Sequence, residues 1–190
     1  LAVAAPLAAI AIDFDTNEIL LENNANVRLH PAGLTKLMTL YVAYQALENG
    51  EVSLDDAITV SSNAANVQGV ELEFLKDTLM SLRHLIRASA VGGANDASMA
   101  LAEGLSNSEE LFAQRMNSTA KALGLTRSAW KNPHGLTEKG HMSSAKDLAN
   151  LFVACFQELK AFMAQNMGTL MQLETVGSSL LNAKVNVSLL

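Results

Sequence analysis

His30-Pro31-Ala32-Gly33-Leu34-Thr35-Lys36-Leu37-Met38-Thr39 carries the chain out of a polar loop and into an apolar-periodic run. The loop, 23–31, ends at the proline, a residue that punctuates regular structure. Beyond it Leu37, Leu40, Tyr41, Tyr44 and Leu47 recur at helical spacing, which predicts a helix over 34–48 with Gly50 as its terminator. Lys36 therefore belongs to the start of that helix.

Upstream, the apolar runs 7–13 and 19–22 flank Asp15-Thr16-Asn17, whose turn chemistry predicts a β-hairpin. Downstream, 51–60 reads as a connection ending in a small strand at 58–60, and the poorly patterned 63–77 reads as a surface excursion. Helical patterning returns at 81–90, 95–103, 108–123 and 143–157. Ser108 has the chemistry of an N-cap, with Glu109 and Glu110 favourable in the following turn. Asn132-Pro133-His134-Gly135 is a loop, whereas 170–176 and 182–189 are strand-like. Strands, then many helices, then strands imply an α+β fold with one sheet formed from both chain ends.

The 190 residues, 49% hydrophobic and 17% charged, suffice for a single domain over 1–190. Residues 1–6 read as a tail or a signal-peptide remnant, since Ala2-Val3-Ala4 has the A-x-A form. A net charge of −6 with scattered basic residues argues against a nucleic-acid partner. No apolar run is long enough to predict a transmembrane segment. Cys155, the only cysteine, sits in an apolar helical stretch and reads as a buried, inert thiol. His30, His84, His134 and His141 are dispersed, so neither a metal site nor a cofactor is expected.

The segment 30–39 resembles the P-A-S-L-T-K-x-M-T stretch of the penicillin-binding D-alanyl-D-alanine carboxypeptidases. Gly93-Ala94-Asn95-Asp96-Ala97 resembles that family's S-x-N-D-A segment, and 7–24 its opening hairpin. Residues 120–124, 132–136 and 141–148 resemble A-K-A-L-G, N-P-H-G-L and H-x-S-T-A-x-D-L, all in the family's order. The resemblance implies a β-lactamase/DD-peptidase-like fold, a helical cluster packed on an antiparallel sheet. It implies a serine nucleophile at the helix start, a lysine one turn later, a second serine with an asparagine nearby, and a K-T-G strand for the substrate carboxylate. It also implies a bacterial periplasmic location or the outer face of the inner membrane.

Gly33 stands at the nucleophile's position and Gly93 at the second serine's, while Lys36 and Asn95 remain. No K-T-G, H-T-G or K-S-G triplet occurs, and the tail supplies fewer strands than the family's sheet needs. Loss of a nucleophilic serine alone has cost a serine hydrolase about 10⁶-fold in kcat. The expectation from these departures is a catalytically inactive relative, with no catalytic residue, serving as a binding or assembly module of the cell envelope. Lys36 and Asn95 would then at most hold a peptidoglycan stem peptide, and another protein chain would cover an unfinished sheet edge.

Local roles compete with these. Lys36 reads as a structural residue at the helix start, and Asn95 with Asp96 as an N-cap for a helix at 97–103. Ser118/Lys121, Ser128/Lys131 and Ser143/Lys146 also match S-x-x-K, a pattern common by chance, and Ser143 reads as an N-cap. The alternative is an active serine-type carboxypeptidase acting on stem peptides, represented by a mutant, a fragment or an imperfectly assigned sequence.

Overall fold

Residues Ala32–Leu34 tighten into a 3-10 turn that runs directly into α1, Thr35–Glu48, in a computed structural model that describes residues 8–165. The predicted helix is thus present within a residue of its expected start. Met38 and the run from Leu40 to Tyr44 are all buried, so α1 is covered on every side rather than along one stripe. Its N-cap position, Leu34, offers no side-chain acceptor. The Thr35 N–H is instead taken by the Ala32 and Gly33 carbonyls of the preceding 3-10 turn.

The hairpin forms as expected: β1, Ala9–Ile12, pairs antiparallel with β2, Ile19–Asn23. Asp13 closes its turn by accepting from the Asp15 and Thr16 amides through Oδ1. The connection after α1 ends in β3, Ala57–Thr59, followed by a short α2, Ser62–Ala65. β3 pairs with β4, Leu79–Ser81, a strand that hydropathy did not reveal. Three residues are too few for an alternating pattern, and only the partner strand defines them.

Three further helices follow: α3, Leu82–Ala90; α4, Asn95–Ser106; and α5, Glu109–Ala122. Ser108 caps α5 as expected, accepting from the Leu111 amide at 3.1 Å. The last described helix is α6, Ala145–Gln165. Its cap is Ser144, whose Oγ accepts from the Asp147 amide at 3.1 Å, and not Ser143. Ser143 is buried and bonds instead to Ser128 Oγ at 2.8 Å, because its backbone is already committed to a bridge with Leu29.

α1 packs against α3, α4, α5 and α6, and the main core gathers Met38, Tyr44, Leu85, Leu101, Phe112 and Trp130 around it. Cys155 is buried in that core, where desolvation pushes its thiol up to about 12, as an inert thiol requires. A smaller cluster of Ile10, Ala25, Ala145 and Ala149 seats the hairpin on α6. Phe14 meets Phe156 edge-on at 4.9 Å in the same junction. No helix among the described residues is long and apolar enough to cross a membrane. The described residues hold two separate two-stranded sheets. The strand-like segments 170–176 and 182–189, and the tail 1–6, lie outside the described residues.

Candidate active site

The first turn of α1 meets the start of α4 and the loop around His134. Lys36 is 9% exposed, and its Nζ donates to Asn95 Oδ1 at 2.7 Å and to the His134 carbonyl at 2.9 Å. Burial lowers its pKa to about 8. Roughly a tenth of such a lysine is neutral at pH 7, orders of magnitude more than for an exposed one. Lys36 thus joins the first turn of α1 to α4 and to the loop around His134 through a buried, hydrogen-bonded amine.

Asn95 is not an N-cap. It is the first residue of α4, and its side chain bridges α1 and the loop at Gln68 instead. Its Oδ1 accepts from Lys36 while its Nδ2 donates to the Gln68 carbonyl at 2.7 Å. Asp96 likewise serves a long-range purpose: Oδ2 accepts from the Leu72 and Phe74 amides at 2.9 and 3.2 Å, holding the 70–74 segment beside the site. Only its Oδ1 turns back onto its own helix, to the Ala97 amide.

Position 33 lies one turn from Lys36, where side chains on a helix share a face. A Cβ built on Gly33 meets no atom within 4 Å, and the backbone there is not left-handed. The strain sits one residue earlier, where Ala32 has φ +46°. Gly93 also has free space around a Cβ but sits at φ +65°, which a serine would adopt only with strain.

Two histidines that the sequence left scattered prove central. His134 is 6% exposed; its Nδ1 accepts from the Leu136 amide, and its Nε2 lies 3.7 Å from Glu109 Oε1. His141 accepts from the Lys131 amide through Nδ1 and contacts Thr35 Oγ1 through Nε2 at 2.8 Å. Desolvation is the leading cause that lowers both imidazoles to about 4, with Lys36 and His141 adding to it for His134. Both are neutral at pH 7. The sequence signal was their place in the stretches 132–136 and 141–148, not any mutual spacing.

The remaining S-x-x-K matches are structural. Ser118 and Lys121 are exposed on α5. Ser128 Oγ donates to Asp147 Oδ2 at 2.8 Å, and Ser143 is the buried partner of Ser128. A cleft of about 430 Å³ lined by Glu109, Glu110, Asn117, Trp130, Lys131 and Glu138 does not include Lys36 or Asn95. No group of acidic, histidine or cysteine side chains among the described residues could hold a metal ion.

The chain is similar in sequence to DacF of Bacillus subtilis (strain 168), a D-alanyl-D-alanine carboxypeptidase, with 41% identity over 142 residues, covering 75% of this chain and 36% of the relative. DacC of Escherichia coli (strain K12), another D-alanyl-D-alanine carboxypeptidase, is 37% identical over 158 residues, covering 80% and 40%. The chain thus spans well under half the length of these curated relatives. Among solved structures, penicillin binding protein 5 from Haemophilus influenzae superposes with TM-score 0.78 at 30% identity, covering 84% of this chain and 47% of that one. The D-alanyl-D-alanine carboxypeptidase DacD from Francisella tularensis gives TM-score 0.76 at 34% identity, covering 81% and 37%.

These matches confirm the α+β, DD-peptidase-like fold. They also overturn the expectation of a catalytically inactive relative: the similar proteins are named as carboxypeptidases, and the lysine, the asparagine and their supports are assembled here rather than eroded. With the sequence model of the peptidase S11 family, described as D-alanyl-D-alanine carboxypeptidase, matching residues 2–183, the chain belongs to that family.

Proposed function

We propose that this chain is built for serine-type D-Ala-D-Ala carboxypeptidase chemistry on peptidoglycan stem peptides, outside the cytoplasm. Position 33 is the acylation position in this reading, where this chain carries glycine, as it does at position 93. The observation that carries it is Lys36 Nζ, held between Asn95 Oδ1 and the His134 carbonyl one turn from a position where a side chain finds free space.

With a serine at position 33, the neutral fraction of Lys36 takes the hydroxyl proton as the oxygen attacks the penultimate D-Ala carbonyl. The carbon–nitrogen bond breaks, D-Ala leaves with a proton, and an acyl-enzyme remains. Water then hydrolyses the ester, its proton passing back through the same lysine. Asn95 fixes the lysine through Oδ1 while its amide is tied to the Gln68 carbonyl. With His134 neutral beside it, burial is what lowers the Lys36 pKa.

The test reads the encoding gene at positions 33 and 93 and beyond position 190, then exposes the gene's full product carrying Gly33→Ser to a fluorescent penicillin. The expected result is a covalent label on the peptide containing position 33, with D-Ala released from a D-Ala-D-Ala peptide. The chain with glycine there defines the background. A folded Gly33→Ser product that takes no label and releases no D-Ala refutes the proposal.

A further inference from the structure

The start of α1 is held from outside by residues about a hundred positions later. Leu29 and Ser143 exchange backbone hydrogen bonds at 2.8 and 2.9 Å, which fixes 129–144 beside the approach to α1. From there the Pro133 carbonyl accepts from Thr39 Oγ1 at 2.6 Å and the His134 carbonyl from Lys36 Nζ at 2.9 Å. Gly135 lies directly against the Ala32 carbonyl. Within this clasp His141 is 1% exposed.

Both edges of the His141 ring are committed. The Lys131 amide donates to Nδ1 at 3.0 Å, so Nδ1 is the bare nitrogen and Nε2 carries the proton. Nε2–H then donates to Thr35 Oγ1 at 2.8 Å. Trp130 holds the ring edge-on, with centroids 5.7 Å apart. Thr35 is the first residue of a helix that has no capping side chain of its own. The reaction as derived uses no proton of His141, yet no other side chain grips that first residue as closely among the described contacts.

We propose that His141 is a positioning residue: by donating from Nε2 to Thr35 Oγ1 it sets the first turn of α1, and through that turn the placement of position 33 and of Lys36 Nζ. The inference deepens the carboxypeptidase reading and takes its functional meaning from it. Geometrically the coupling is short, because Thr35 precedes Lys36 and flanks position 33 across Leu34. Loss of either partner leaves a buried polar atom unsatisfied, and the turn relieves that by opening toward water. Water reaching Lys36 relieves the desolvation that lowers its pKa. The titratable groups that act on the ring are Glu138, His30 and His134, and Lys131 meets it through its backbone amide. The ring stays neutral above about pH 4, so its tautomer persists across the neutral range.

The readout is the titration of Lys36 itself, followed by NMR of ¹³Cε-labelled lysine and assigned with Lys36→Met. His141→Asn keeps an acceptor for the Lys131 amide but cannot reach Thr35, and Thr35→Val deletes the hydroxyl while keeping its shape. Each is expected to raise the Lys36 midpoint by about half a pH unit or more, and the double variant by no more than the larger single shift. His141→Gln, whose amide N–H reaches about as far as Nε2, is expected to restore most of the parent midpoint. Folded His141→Asn and Thr35→Val proteins in which Lys36 titrates as in the parent overturn the inference, whatever stability they lose. So do single shifts that simply add in the double variant. Should His141→Asn fail to fold, Thr35→Val alone decides on the same criterion. Because no turnover is needed, a shifted Lys36 together with an unlabelled Gly33→Ser protein sinks the carboxypeptidase reading and spares this one.

Discussion

Replacing Gly135 with alanine puts a methyl group where the chain has no room. The new Cβ falls 1.8 Å from the Ala32 carbonyl oxygen, 2.5 Å from its carbon and 2.9 Å from Thr35 Oγ1, at φ +92°. A carbon and a carbonyl oxygen approach no closer than roughly 3.3 Å, so the loop has to withdraw by about 1.5 Å. The neighbouring His134 carbonyl now accepts from Lys36 Nζ at 2.9 Å, and the same withdrawal breaks that bond. Left-handed backbone costs an alanine about 1–2 kcal/mol. Overpacking adds about 1–3 kcal/mol where the loop stays, or loss of the charged hydrogen bond about 1.5–3 kcal/mol where it moves. These last two are alternatives, so the total is about 2–5 kcal/mol, a substantial part of a domain's usual 5–15 kcal/mol. Urea denaturation at neutral pH measures it. Gly33→Ala is the matched control, because a Cβ there meets nothing within 4 Å, and it should change stability by less than about 0.5 kcal/mol. A Gly135→Ala protein as stable as that control refutes the close approach of the two loops.

Acid should weaken the fold in a defined window. His134 and His141 titrate near 4 in the folded state against an ordinary 6.5, so the unfolded chain takes up protons first as pH falls. Their contribution is intact above about pH 6.5 and is lost progressively toward pH 4. Unfolding free energies from urea melts at pH 7 and 4.5 should differ by about 1–3 kcal/mol after allowance for solvent screening, with most of the difference removed in a His134→Gln/His141→Gln protein. Asp96→Ala strands the Leu72 and Phe74 amides and should cost about 2–4 kcal/mol, with faster proteolytic nicking within 70–76; unchanged cleavage there would show that the carboxylate does not anchor the segment. Gly93→Ser, in contrast, meets open space and only the strain of φ +65°, so its cost in a urea melt should stay near 1 kcal/mol.

Much of this architecture follows from local chemistry. The period of Leu37, Leu40, Tyr41, Tyr44 and Leu47 places α1, and Ser108 with two glutamates places the start of α5, because both signals lie within a few residues. β4 escapes such a reading, since Leu79–Ser81 is a strand only by virtue of β3. The site is harder still. Lys36 and Asn95 are 59 residues apart, and Thr35 and His141 are separated by 106, distances at which spacing carries no information. Family likeness identified Lys36 and Asn95, but the N-cap assigned to Asn95 and Asp96 came from a local rule. Their side chains answer to a lysine and to the 66–74 segment instead. Gly33, Gly93 and the missing K-T-G triplet show the opposite hazard, local departures that say nothing of the surrounding arrangement displayed only by the three-dimensional contacts.

The dependence of α1 on its distant clasp orders events during synthesis. Ribosomes release the chain from its amino end, so the 35–48 helix leaves the exit tunnel long before residues 129–144 exist to grip it. Contacts this remote in sequence form late. A nascent chain paused before the clasp emerges can coil that helix, yet its lysine stays hydrated and ordinary until the later loop docks. The buried, low-pKa state of Lys36 is therefore acquired only once residues 129–144 have emerged and docked.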